Sequence, residues 1–102
     1  MVKHIVTFKF KGTTEERQTL AKNFAGALIQ LPEQIDVLKS IEVGLNINPE
    51  EDWDLVLTAI ANSLDDIKTY TNHPAHMEAV KIIENYKDSR ACVDYEIDSI
   101  ED

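Results

Sequence analysis

Apolar and polar positions alternate at the start of the chain. Val2, His4, Val6, Phe8 and Phe10 oppose Lys3, Ile5, Thr7, Lys9 and Lys11. A period of two predicts a β-strand with one strongly apolar face, and His4 is the polar member of that face. The period then changes. Thr13 or Thr14 followed by Glu15 and Glu16 predicts a helix start, with acids at the positive end of the dipole. Leu20, Phe24, Ala27, Leu28 and Leu31 continue it as a helical stripe, and Pro32 marks where the helix weakens. Gly26 inside that helix costs roughly 1 kcal/mol relative to Ala. It either permits close approach or leaves room for a ligand, or is simply tolerated.

From about Val37 to Ile47 a second strand places Val37, Ile41, Val43, Leu45 and Ile47 on one side, and Asn48-Pro49-Glu50-Glu51-Asp52 turns the chain. A third strand, Trp53 to about Asn62, is apolar on both faces: Trp53, Leu55, Leu57 and Ala59 on one, Val56 and Ile60 on the other. Ser63 with Asp66 three residues later resembles a capping box. It opens a short helix through Leu64, Ile67 and Tyr70, followed by a His-Pro break and a helix to about Lys87. A last strand runs from about Arg90 to Ile100, with Val93, Tyr95 and Ile97 on one face and Cys92, Asp94 and Glu96 on the other.

The order is β-α-β-β-α-β, with the second helix in two pieces. Right-handed crossovers turn it into an α+β, ferredoxin-like antiparallel sheet of order 4-1-3-2 with helices on one face. Strand three is nonetheless apolar on both faces, and strand four has an apolar face too. The simplest cover for the second side is the same face of another copy, so a homodimer closed through the sheet is expected.

The segment Tyr70-Thr71-Asn72-His73-Pro74-Ala75-His76 carries most of the candidate chemistry. Proline suits the first helical position, which makes His73 the expected cap. His76 then shares a face with Ala79, Val80 and Ile83. A buried-side imidazole near a tyrosine fits a proton-transfer site; it equally fits a hydrogen-bonded core histidine. In the expected topology His4 and Asp94 are cross-strand neighbours, and a carboxylate there would fix the imidazole tautomer. The alternative for Asp94 is an edge-strand charge held in water. Tyr70, His76, His4 and Asp94 thus define a candidate pocket, walled by Val6, Phe8, Phe24, Val80 and Ile83.

Composition narrows the partners. The 102 residues fit one domain, and 43% apolar with 28% charged residues is ordinary for a soluble globular chain. A net charge of −9 disfavours nucleic acid and anionic membrane surfaces, which both select for Lys and Arg. Cys92 is the single cysteine, so neither an internal disulfide nor a thiolate cage is available. No signal peptide or bilayer-spanning stretch is read, and a cytoplasmic protein is expected. Metal hydrolysis is disfavoured, because His73 and His76 straddle a helix start with no carboxylate at matched spacing.

Three stretches also carry a resemblance: Val2 to Lys11, the Tyr-x-x-His-Pro-x-His run from Tyr70 to His76, and Val93-Asp94-Tyr95-Glu96. They resemble the Dabb family, the stress-responsive dimeric α/β-barrel domain, over the whole of residues 1–102. The resemblance implies a ferredoxin-like protomer whose sheet pairs with another to close a barrel. One plant branch of that family is a polyketide cyclase of the olivetolic acid type, which closes a linear tetraketide by aldol condensation without metal or organic cofactor. Its catalytic tyrosine and histidine match Tyr70 and His76, and its strand-one histidine and strand-four aspartate match His4 and Asp94. By that resemblance His76 is the base, Tyr70 the oxyanion donor, and His4 with Asp94 position the substrate. The first helix, with Ala21, Ala25 and Gly26 around Phe24, departs from the bulkier aromatics of the cyclase, which implies a cavity of different size. Three functions stay open: a cofactor-independent lyase, cyclase or isomerase of a small carbonyl compound; a non-catalytic stress-associated dimer that binds a ligand or builds an oligomer; and a cofactor-free monooxygenase.

Overall fold

Strand β1 (Val2–Phe10) is the pivot of the computed structural model, which describes residues 1–98. It is followed by α1 (Thr14–Leu28), a 3-10 turn (Leu31–Glu33), β2 (Ser40–Leu45), β3 (Leu55–Ala61), α2 (Leu64–Asn72), α3 (Pro74–Val80) and β4 (Lys87–Glu96). β1 pairs antiparallel with both β3 and β4, and β2 pairs with β3, giving the expected order β2-β3-β1-β4. The ferredoxin-like reading of the element order therefore holds.

The period of two in β1 appears directly as burial: even-numbered residues from Val2 to Phe10 are buried and odd-numbered ones half-buried. The buried set meets α1 through Ala21, Phe24 and Leu28. Phe24 sits edge-on to Phe8 and Phe10, with ring centroids 5.4 and 6.4 Å apart. α1 starts at a full capping box: Glu16 N–H donates to Thr13 Oγ1 at 3.2 Å, and Thr13 N–H donates to the Glu16 carboxylate at 2.8 Å. Gly12, at φ +121°, makes the turn from β1 into that cap, a conformation that a side chain would strain. Half-buried Arg17 donates to Asp54 at 3.0 Å, and Asp54 also accepts from Phe10 N–H at 2.7 Å.

Several element boundaries differ from expectation. β2 is shorter: Val37 precedes it and packs on the core, while Ile47 lies beyond it and is 95% exposed. The cause is Asn46, whose side chain accepts from Asn48 N–H and donates to the carbonyls of Asn48 and Glu51, winding the chain into a turn straight after Leu45. β3 correspondingly starts at Leu55 instead of Trp53. Further on, α3 ends at Val80, well before Lys87. The run Val80, Ile82, Ile83 is β-branched, and the chain passes through turns in which Ile82, Ile83 and Tyr86 each bond three residues back. Lys11 N–H then donates to Tyr86 O at 2.7 Å, and β4 opens at Lys87 across a register shift opposite Lys9 and Phe10. β4 thus opens ahead of the expected Arg90 and closes at Glu96, with Ile97 past its end, while the expected strand end at Ile100 lies outside the described residues.

On the sheet face away from the helices lie Ile5, Val56, Val93 and Tyr95, the last three 37%, 62% and 42% exposed. Among the described residues no helix is long and apolar enough to cross a membrane.

Candidate functional site

The β1–β4 register sets His4 directly opposite Asp94, as expected from the topology. The His4 ring is buried, and its Nδ1 lies 2.5 Å from Asp94 Oδ1. A carboxylate only accepts, so Nδ1 carries the proton and the Nε2 lone pair is left for other use.

Tyr70 closes the last turn of α2 and His76 lies in the first turn of α3; the break between them is made by His73 and Pro74. His73 caps α3 as expected, its Nδ1 accepting from Ala75 N–H at 3.0 Å, while its own N–H donates to Tyr70 O and ends α2. That double cap folds the two helical pieces so that Tyr70 and His76 face one another. Their rings are 4.7 Å apart at 65°, and the Tyr70 ring is edge-on to His4 at 6.1 Å. His4, Asp94, Tyr70 and His76 are thereby brought together beneath the helices.

Two polar atoms in this group have no hydrogen-bond partner among the described residues: Tyr70 Oη and His76 Nδ1, both buried. Buried polar groups are paired in the great majority of cases, so two orphans on facing rings are unusual. Their electrostatics follow from burial. Burial pushes the Tyr70 phenol well above the usual tyrosine range, with Arg90 opposing weakly, so the hydroxyl stays a donor. The His76 imidazole is held below the usual histidine range, chiefly by burial, with lesser contributions from His4 and Arg90; a hydrogen bond between its ring and the Thr71 backbone works the other way. A neutral imidazole and an intact phenol thus stand together at neutral pH.

The expected walls of the pocket divide. Val6, Phe8, Phe24 and Ile83 belong with Tyr70 to one close-packed core cluster, whereas Val80 is only half-buried. Two open grooves, of about 510 and 490 Å³, flank α1 and are lined by Lys11, Glu16 and Tyr86 and by Arg17, Leu45 and Asp54 respectively, among others; none of the quartet lines either.

Two residues beside the quartet were not singled out by sequence reasoning. Cys92, which pairs across from Val6, puts its Sγ 3.5 Å from His4 Nδ1 and 4.0 Å from Asp94 Oδ1. Arg90 sits two residues before it and acts on the Tyr70, His76 and Cys92 side chains alike. The signal that points to both is strand parity. Arg90, Cys92 and Asp94 alternate along β4 on the face that carries His4 in β1. His4, Cys92 and Asp94 each offer one ligand atom, all within 4.8 Å of one another, and are the residues here that could hold a metal ion.

A split β-α-β sheet of this strand order is the protomer fold of an α/β-barrel domain. The chain belongs to the stress responsive A/B barrel domain (Dabb) family, whose model matches residues 2–97. A crystal structure from Bacteroides fragilis, described as a dimeric protein of unknown function and ferredoxin-like fold, is 47% identical with a TM-score of 0.90, covering 94% of this chain and 95% of that one. An Arabidopsis thaliana protein is 24% identical with a TM-score of 0.72 and covers 98% of each chain. A hydroxynitrile lyase from Passiflora edulis shares the fold at 17% identity and TM-score 0.75, covering 95% of this chain and 93% of that one. No curated protein shows significant similarity to the chain.

Proposed function

We propose that this protein is an acid–base catalyst of the lyase, cyclase or isomerase kind, acting on a small carbonyl compound such as a polyketide-like β-dicarbonyl. The observation that carries the reading is the pair of orphaned polar atoms, Tyr70 Oη and His76 Nδ1, on rings 4.7 Å apart. His76, neutral through burial, takes the proton α to the carbonyl onto Nδ1. Tyr70 donates a hydrogen bond to the oxygen on which enolate charge develops. His4, oriented by Asp94, positions the substrate by accepting a hydrogen bond from its hydroxyl or enol at Nε2. Val6, Phe8, Phe24, Val80 and Ile83 supply apolar walls once substrate enters. The proton returns from His76 to carbon, or passes to a leaving group, so the transfer itself requires no cofactor. That a hydroxynitrile lyase stands on the same fold supports compatibility of the scaffold with such chemistry, and no more.

The protein acts in this reading as a homodimer closed through the open sheet face. Val56, Val93 and Tyr95 are exposed there in the protomer, and the 47%-identical Bacteroides fragilis relative is described as dimeric. A second reading, a non-catalytic ligand-binding or structural dimer, is favoured by one observation: Tyr70 is 0% exposed and neither groove reaches it.

Exchange of the α-protons of acetylacetone in deuterated buffer, followed by proton NMR, separates the two. The wild type is expected to accelerate exchange above buffer, and Tyr70→Phe or His76→Ala to reduce that acceleration by about 10²–10⁴-fold, the usual worth of general acid–base catalysis. No acceleration by the wild type, or one indifferent to both substitutions, would favour the non-catalytic dimer.

A further inference from the structure

We propose that His4, Cys92 and Asp94 form a binding site for a borderline-soft divalent cation of the zinc or cobalt class. The placement follows from the sheet. Cys92 and Asp94 alternate on one face of β4, and His4 lies opposite Asp94 on β1, so three ligand atoms of three chemical types converge from two adjacent strands. Sγ to Nδ1 is 3.5 Å, Sγ to Oδ1 is 4.0 Å and Nδ1 to Oδ1 is 2.5 Å. A tetrahedral zinc with metal–sulfur bonds of about 2.3 Å and metal–nitrogen or –oxygen bonds of about 2.0–2.2 Å requires its ligand atoms roughly 3.3–3.7 Å apart. The first separation already fits. The others need the Asp94 carboxylate to rotate by less than an ångström or so, and that side chain, 32% exposed on an edge strand, is free to do it.

Imidazole with thiolate selects zinc or cobalt over magnesium or calcium, which prefer all-oxygen shells. Three protein ligands leave a fourth position for water or another small ligand. The net charge of −9 favours cation approach, whereas the exposed Arg90 beside Cys92 opposes it. On binding, the Cys92 thiol gives its proton to solvent and sulfur forms the metal bond. The His4 proton moves from Nδ1 to Nε2, and Nδ1 ligates. The His4–Asp94 hydrogen bond and the bound ion therefore exclude one another, so an occupied site removes the positioning role proposed for His4 while leaving Tyr70 and His76 in place.

The test is a cobalt titration of the full chain, stripped with chelator and kept reduced. The site is supported by a near-ultraviolet thiolate-to-cobalt charge-transfer band that saturates at one equivalent and is bleached by zinc. Cys92→Ser is expected to abolish the band, and Asp94→Asn to weaken binding by at least about tenfold. Absence of the thiolate band in the wild type overturns the proposal, as does its survival in Cys92→Ser. The wild-type result stands even if a variant fails to fold, and melting curves of both variants report on folding.

Discussion

Replacing Tyr70 with phenylalanine removes one oxygen and keeps the ring. Tyrosines usually lose stability in this exchange, because breaking a buried hydrogen bond and stranding its partner costs about 1–3 kcal/mol. Here the hydroxyl is enclosed, with the residue 0% exposed, and has no partner among the described residues to strand. The folded protein already carries the desolvation cost of that group, about 1–3 kcal/mol by mutational scales. The edge contacts with His76 at 4.7 Å and His4 at 6.1 Å survive, as does the packing against Val6 and Ile83. Tyr70→Phe is therefore expected to leave stability unchanged or raise it by up to that amount. For a domain of this size each kcal/mol moves the melting temperature by roughly 4–8 °C. Thermal and urea unfolding followed by circular dichroism measure the change, at one fixed protein concentration so that any self-association enters equally. A stability gain together with lost proton exchange is the signature of a group kept for function against the interest of the fold. A loss above about 1 kcal/mol would refute the reasoning, because it would show the phenol to be a satisfied structural group.

Two further substitutions test other parts of the account. A methyl group built on Gly26 meets nothing within 4 Å, so Gly26→Ala is expected to stabilise α1 by up to about 1 kcal/mol, read from the unfolding midpoint. Val93→Asp should leave the isolated protomer nearly untouched, since Val93 is 62% exposed there. In a sheet-to-sheet interface the same carboxylate, unpaired and dry, costs several kcal/mol. Light scattering is expected to show the dimer of the wild type replaced by the 11.6 kDa monomer.

Much of the fold was legible because the hydrophobic periods are clean. Strand β1 alternates without error, and β-α-β-β-α-β order with right-handed crossovers leaves one reasonable sheet, from which the His4–Asp94 pairing follows. His73 was legible as a cap because Pro74 fixes the helix start. The ends of β2 and α3 were not. Ile47 continues the parity of β2, but the Asn46 side chain takes over the backbone hydrogen bonding, a local competition that periodicity does not register. Ile83 continues the helical stripe of Ala79 and Val80 and yet lies beyond the end of α3, in the successive turns that bring Lys87 to the edge of β1. Within the site, parity brings Cys92 and Arg90 beside His4, but their closeness depends on side-chain rotamers and on the register of an edge strand. The unpartnered Tyr70 and His76 atoms are a property of packing, which no spacing of residues encodes.

The most direct test is the protonation of the imidazoles themselves, observed by long-range nitrogen–proton NMR across a pH series. The account expects His4 as the Nδ1–H tautomer, because Asp94 accepts that proton. It expects His76 neutral at pH 7, titrating below the usual histidine value because burial disfavours its charge. A His76 ring that is charged at neutral pH, or that titrates like a solvated one, would contradict the claim that a desolvated base faces a proton donor beneath the helices.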